Sequence, residues 1–361
     1  MPPVIPHVNA IGTAVPDHDI HHAFVDWARD QIADPRAAKL FGRMAARSGI
    51  AHRWSVLDRA PGGGSPIAAG GFYAGALPGT AARMRLYAEA APVLGLAAIA
   101  ALGEQVSLHD VSHLVVASCT GFVAPGIDQI IARALGLPPS VERLLIGFMG
   151  CYAAVSALRT ARHIIRSEPE ARVLVLCVEL STLHLQETGE VEPLLAMLQF
   201  GDGAAAALVT AEASGFALGV PFATTLADSA DLIRWDITDT GFAMHLSGAV
   251  PGRIAAALAD PAVAHTATGG HAPEAIDAWA VHAGGRSILD AVEHALKLGP
   301  EALAASRGVL ADFGNMSSAT LMFVLARMLA GPRIGGRIGR GVALAFGPGL
   351  AAEGFTFASA S

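Results

Sequence analysis

Three side chains have the types and settings for acyl-transfer chemistry: Cys151, His282 and Asn315. Cys151 lies in GFMGCYAAVSALRTARHII, where Gly150 permits a sharp turn and the cysteine falls in the first turn of a predicted helix. Free backbone N–H groups and the helix dipole favour a thiolate there, which makes the sulfur a nucleophile. The small neighbours Ala153, Ala154 and Ala157 also suit a buried cysteine in a tight helix–sheet contact. His282, in WAVHAGGRSILD, ends a predicted strand beside Gly284 and Gly285, and it reads as a catalytic imidazole or a satisfied core histidine. Asn315, in ADFGNMSSAT, follows an apolar run read as a strand. It either caps the helix predicted over 316–329 or offers its amide to an oxyanion. Together the three have one consistent task. The cysteine attacks an acyl thioester, and the histidine and asparagine hydrogen-bond the carbonyl oxygen of the next one. No acidic third member is evident, and a hydrolase would want one to activate water.

The elements that must position these residues follow from apolar spacing. Residues 20–58 carry a helical pattern, and glycine and proline break up the loop at 60–80. Met84, Tyr87, Ala91, Leu94 and Ala98 recur at helix spacing and predict a long, largely buried helix from Thr80 to Leu102. HLVVA at 113–117 predicts a buried strand ending at SCTG. One order then occurs twice: strand, small-residue turn, helix, strand, at 144–178 and again at 308–346. Buried strands alternating with helices predict an α/β fold. The repetition predicts two halves, residues 1–212 with the cysteine and 213–361 with the histidine and asparagine, the second opening on strands around Phe216–Thr224.

Composition excludes several classes. The 361 residues are 53% hydrophobic and 15% charged, which rules out disorder. A net charge of −7 with no basic cluster argues against nucleic acid. No stretch reads as a membrane span, because the apolar runs are short or contain Glu89 and Gly95. The start, MPPVIPHVNAIGTAVP, lacks the positive region of a signal peptide. Three cysteines (Cys119, Cys151 and Cys177) make no disulfide framework, so the expected location is cytoplasmic. The histidines, His21 and His22 included, form no metal motif. So few charges on so long a chain also predict an oligomer.

The chain resembles the type III polyketide synthases, the chalcone and stilbene synthase family of the thiolase-like superfamily. The resemblance runs in order through TAARMRLYAEAAPVLGLAAIAAL, CTGFVAPGIDQIIARALGL, GCYAAVSALRTA, QFGDGAAAALV, DTGFAMHLSGAVP, VHAGGRSILD, FGNMSSA and AFGPGL. It implies a thiolase-like α/β fold of duplicated βαβαβαββ halves in a layered αβαβα core, and a homodimer. It makes Cys151, His282 and Asn315 the catalytic set, with Phe200 and Phe242 guarding the junction of coenzyme A tunnel and cavity. The implied reaction needs no cofactor or metal. Cys151 takes a starter from its CoA thioester, and decarboxylation of malonyl-CoA leaves an enolate held by His282 and Asn315. That carbanion extends the chain, and the cycle repeats before ring closure.

Arg43 and Arg47 match positions that bind CoA phosphates and, four apart, would share a helix face. Leu40 stands where the family usually has lysine, with Lys39 one residue away. Ala124 matches a bulky methionine that one plant subunit lends to its partner's cavity; Cys119 replaces a threonine, and Ser181 is a further cavity position. A longer, more apolar cavity is therefore expected, suited to a medium or long fatty acyl-CoA and to an α-pyrone, alkylresorcinol or phloroglucinol product. The nearest rival is a β-ketoacyl-(acyl carrier protein) synthase III, which performs one condensation and typically has an asparagine-bearing segment where this chain has HAGGRSILD. An inactive scaffold would have lost one of the three polar residues, and a thioesterase-like hydrolase would release free acid without using malonate.

Overall fold

The computed structural model describes residues 4–331 and 337–360. The first half opens with β1 (His7–Ala14), β2 (His18–Asp19), α1 (His21–Gln31), α2 (Pro35–Ala45) and β3 (Trp54–Ser55), which pairs with β2. The helical pattern expected over 20–58 thus resolves into two helices that end at Ala45. Pro35 and the Asp34 carboxylate, which accepts the N–H groups of Arg36 and Ala37, start the second of them. Next come α3 (Thr80–Gly103), β4 (His113–Ser118), α4 (Ile127–Ala134), β5 (Glu142–Gly147), α5 (Ala153–Ser167), β6 (Val173–Leu180), α6 (Val191–Gln199) and β7 (Asp202–Thr210).

The second half holds β8 (Phe216–Thr225), β9 (Ile233–Thr238), β10 (Gly241–Leu246), α7 (Val250–Ala259), α8 (Pro261–Ala267), β11 (Ala278–Val281) and α9 (Arg286–Ala295). It closes with α10 (Ala304–Phe313), α11 (Ala319–Ala330), β12 (Gly341–Gly347) and β13 (Ala351–Ser359).

Nine strands share one sheet in the order β11-β12-β13-β8-β1-β7-β6-β4-β5. Only two residue pairs, His7 with Ala217 and Val8 with Phe216, join the halves between β1 and β8. On each side of that seam the pairings repeat: β7 runs antiparallel to β1 and β6, as β13 does to β8 and β12, while β4–β6 and β11–β12 are parallel. Strands β6 and β7 are buried along their whole length, which explains their unbroken apolar sequence.

Three cores give the layers. Helices α5 and α11 sit in the middle, in one cluster with Val175, Cys177, Ala205, Ala207, Ala343 and Ala345. The alanines let helix and sheet backbones approach closely. Helices α3 and α4 cover the outer face of the first half, and α7 and α9 that of the second. Helix α3 is long and apolar enough to cross a bilayer, but it packs on β1, β6 and β7 and buries Arg83.

One element differs from expectation. The run GVLADF at 308–313, read as a strand, lies within helix α10. A short apolar run fits either state, and packing settles it: Phe313 meets Phe323 of α11 edge-on, ring centroids 5.0 Å apart.

Candidate active site

The two reactive turns are built on glycines that admit the other half of the molecule. Gly150 has φ 76°, and a Cβ there would lie 2.3 Å from Cδ of Pro348. The chain then makes a 3-10 turn, Gly150–Tyr152, that leads into α5 and carries Cys151. Gly314 has φ 67°, and its Cβ would meet the Gln199 carbonyl at 2.8 Å and Cγ of Arg53 at 2.9 Å. Residues that follow these glycines are held where few other backbones fit.

Asn315 is pinned at both ends of its backbone. Its N–H donates to the Gln199 carbonyl at 2.8 Å, and its carbonyl accepts from the Gly201 N–H at 3.0 Å. Its Oδ1 accepts the Ser317 N–H at 2.8 Å, which turns Nδ2 toward the Gly284 carbonyl at 3.3 Å. The side chains of Asn315 and Ser317 are polar neighbours of Cys151 that favour its thiolate. His282 follows β11 and continues its ladder through a 2.8 Å bond from its N–H to the Leu344 carbonyl. The imidazole lies over Gly284, where an added Cβ would stand 3.4 Å from Nε2. Asn315 and His282 are therefore linked through Gly284, whose N–H donates to the His282 carbonyl at 2.9 Å.

The protonation states differ from those expected at a helix terminus. Burial pushes the Cys151 thiol up to about 12, and the negative field of Glu179 adds to this, although Ser317 and Asn315 oppose it. Burial alone brings His282 down to about 3, and neither ring nitrogen has a hydrogen-bond partner among the described residues. Both shifts favour the uncharged forms, a thiol and a neutral imidazole. Such a ring can take the thiol proton or, in the other tautomer, donate to an oxyanion. Desolvation outweighs the few N–H groups of one short turn.

The remaining predicted positions fall in four places. Phe200 follows α6, pairs with Asn315 through a parallel bridge, and its carbonyl oxygen accepts from Nη1 of Arg53 at 2.8 Å. Phe242 is buried, stacked on His184 at 4.1 Å and edge-on to Trp235 at 5.9 Å. Phe200, Phe242 and Ser181 line one cavity, whose other walls include Ile20, Phe24, Leu57, Ile67 and Tyr73. Cys119 is packed beneath the nucleophile's turn, its sulfur accepting the Gly150 N–H at 2.9 Å, and it is not among the residues lining that cavity. Ala124 is exposed, near Phe122, and contributes nothing to the cavity of its own subunit.

Arg43 and Arg47 do not share a helix face, because α2 ends at Ala45 and Arg47 lies beyond it. Both are exposed, as are Lys39 and Leu40. Arg47 lines a groove of about 1820 Å³ with Met44, Gly284, Gly285 and Arg286; Arg43 does not.

Sequence reasoning missed Glu179, Ser317, Arg53 and Arg286. Glu179 is the one carboxylate in the apolar run VLVLCVEL, which was a usable signal. It accepts the Cys119 N–H and the Thr120 hydroxyl, both at 2.9 Å, and the Ser318 hydroxyl; burial raises it to about 7 despite them. No cluster of three or more metal-ligating side chains occurs among the described residues.

Comparison with known proteins agrees with this geometry. Residues 5–213 match the family model for the N-terminal domain of chalcone and stilbene synthases, and residues 218–361 that for the C-terminal domain. A Mycobacterium tuberculosis protein, "Alpha-pyrone synthesis polyketide synthase-like Pks18", is 35% identical over 284 residues, which are 76% of this chain and 72% of the relative. The crystal structure of PKS-I from the brown alga Ectocarpus siliculosus superposes with a TM-score of 0.87 at 29% identity, covering 99% of both chains. The C-terminal type III polyketide synthase domain of Steely1 from Dictyostelium has the same fold, with a TM-score of 0.87 at 24% identity over 99% of this chain and 100% of that one.

Proposed function

Since the chain belongs to the chalcone and stilbene synthase family, acyltransferases of the type III polyketide synthase class that use malonyl-CoA without a cofactor, we propose that Cys151, His282 and Asn315 carry its iterative condensation. The observation that carries this assignment is the buried His282 ring, unpartnered among the described residues, which is joined through Gly284 to an asparagine whose side chain favours the Cys151 thiolate.

When an acyl-CoA binds, the Cys151 proton passes to His282 and the sulfur attacks the thioester carbonyl. The C–S bond to coenzyme A breaks, and His282 returns the proton to the departing thiolate. Malonyl-CoA follows. As its carboxylate leaves as CO2, the bonding electrons move into the thioester and make an enolate, whose oxygen takes hydrogen bonds from His282 and Nδ2 of Asn315. Two aimed donors in a dry site supply most of the stabilisation, each about 3–4 kcal/mol. The carbanion carbon then attacks the Cys151 thioester and expels the cysteine sulfur. The lengthened β-ketoacyl-CoA can reload Cys151 for another round.

Coenzyme A is read as lying in the groove that ends at Gly284 and Gly285, with Arg47 and Arg286 meeting its phosphates. Arg286 donates from Nη1 to the Arg47 backbone carbonyl at 3.2 Å and pairs with Asp290 at 3.5 Å, so its cation is held in the groove that Arg47 also lines. Arg286 thereby takes the place of the cation missing at Leu40.

The starter is read as a medium or long fatty acyl group, because the cavity beside Phe200 and Phe242 has mostly apolar walls. An α-pyrone after two or three extensions is the favoured product, in keeping with the name of the 35%-identical relative. A cytoplasmic homodimer fits the exposed apolar surface at Phe122, Leu144 and Leu145, which are 47%, 45% and 42% accessible. They lie on and beside β5, the edge strand of the sheet, and Ala124 projects from the same surface.

A panel of acyl-CoA starters from acetyl to palmitoyl, with p-coumaroyl-CoA, incubated with labelled malonyl-CoA and read by mass, tests this reading. Fatty starters extended to pyrones are expected. A higher kcat/KM for p-coumaroyl-CoA than for every fatty starter would overturn the starter class, and no malonate incorporation with any of them would overturn the reaction.

A further inference from the structure

The cavity beyond Phe200 has one unexplained polar feature. Arg53 lines it and is 1% exposed, yet it makes no ion pair among the described residues. Its guanidinium has five N–H bonds. Nε donates to Nδ1 of His21 at 3.2 Å, and Nη1 donates to the carbonyls of Met197 at 3.1 Å and Phe200 at 2.8 Å. Both N–H bonds of Nη2 lack a partner among the described residues. The face of Phe24, with its ring centroid 4.5 Å from the guanidinium carbon, covers one side of the group.

Three other polar side chains in the wall are committed. His184 uses Nε2 on the Thr120 carbonyl at 2.7 Å and Nδ1 on the Phe242 N–H at 3.1 Å. Thr182 is held by Asp202 at 2.6 Å, and Gln186 by the Thr240 carbonyl at 2.9 Å. Asp19 and Asp202 act on Arg53 as charges at longer range. A buried cation with two idle donors is costly unless an acceptor comes to it.

We propose that Arg53 is a binding residue for the carbonyl or enolate oxygens of the growing poly-β-keto chain, and that the cavity beside Phe200 holds that chain against it; this rests on the condensation reading above. Each round adds one carbonyl two carbons from the last, so the extended chain is a series of 1,3-dicarbonyl units. The enolate of such a unit spreads negative charge over its oxygens, which suits the positive charge and the idle N–H bonds of Nη2. The apolar remainder of the cavity takes the alkyl tail. Arg53 is well placed for the task, because the carbonyl it holds belongs to Phe200, whose backbone pairs with that of Asn315.

Calorimetric titration of the full-length wild-type protein with pentadecane-2,4-dione and with pentadecan-2-one tests this without turnover. The dione is expected to bind about tenfold or more tightly than the monoketone, as one charged hydrogen bond implies. In Arg53→Met the advantage should fall to within about twofold while the monoketone still binds, which shows the cavity intact. Equal affinities in the wild type, a comparison that needs no variant to fold, would overturn the proposal. So would a dione advantage that survives in Arg53→Met. Acyl loading of Cys151, read by intact mass, is scored separately: its absence in the wild type would overturn the condensation reading and leave the dione result to stand or fall alone.

Discussion

The two halves solve one positioning problem in different ways. Each sends a reactive side chain into the middle of the molecule just after a glycine at positive φ, and each glycine is pressed against the other half: Gly150 on Pro348, and Gly314 on Gln199. The first half reaches its turn from edge strand β5, the second from helix α10. Their surroundings also differ. Cys151 stands in the field of the buried carboxylate Glu179, whereas Asn315 is braced by neutral donors, the Ser317 N–H and the Thr320 hydroxyl. In the proposed roles, the nucleophile's resting form is favoured as the thiol, and the oxyanion donor is braced by two hydrogen bonds. Neither half holds a working site alone.

The sharpest break in this comparison is Cys151→Ala. Starter adducts and chain extension should vanish on intact-mass analysis, while malonyl-CoA decarboxylation persists in part because His282 and Asn315 remain. An adduct of wild-type yield on the variant would rule out Cys151 as the nucleophile. Asn315→Ala is the counterpart on the other half, and it should slow the condensing step by about 10²–10³-fold. Starter transfer should suffer less, which separate rates for loading and CO2 release will show. Equal damage to both would make Asn315 a structural residue.

The glycines come next. Gly150→Ala and Gly314→Ala should each cost about 2–4 kcal/mol, from left-handed strain plus the overlap with Pro348 or with Gln199 and Arg53. Denaturant melts measure this, and a cost below about 1 kcal/mol at both would mean that the seam yields easily.

Glu179→Gln is a smaller, electrostatic change. Removing the charge should lower the Cys151 pKa and move the iodoacetamide alkylation profile to lower pH. The wild-type carboxyl is raised to about 7 from an ordinary 4.5, mainly by burial. Its protonated form therefore favours folding, a contribution complete below about pH 4 and lost as the pH climbs through 7. The variant should accordingly gain stability relative to wild type above pH 7, and identical melting curves at pH 5 and 8 for both proteins would exclude the effect. Arg286→Ala and Arg47→Ala should raise the KM for malonyl-CoA a few-fold and leave kcat nearly intact, more so at low salt. Arg43→Ala, outside the groove, should do neither.

Much of the site was legible because its signals are local. A glycine before a cysteine at a helix start, two glycines after a histidine that ends a strand, and FGNMSSA ahead of an apolar helix each mark a turn that a few residues determine by themselves. The layered α/β order and the long helix over 80–102 were legible for the same reason, from spacing within one segment. The strand read at 308–313 failed because its apolar run suits either state, and α11 decided in favour of helix.

Tertiary structure alone decided the rest. Local reasoning at Cys151 counts the N–H groups of one turn and predicts a thiolate; the folded chain desolvates this half-buried cysteine and sets Glu179 nearby, which reverses the sign. The pairing of Arg47 with Arg286 joins residues 239 positions apart. Arg53 reads as one more surface arginine until α1, α6 and the Phe200 segment close around it. Desolvation and long-range charge are sums over atoms that only folding brings together, so they leave no mark on the local spacing of the sequence.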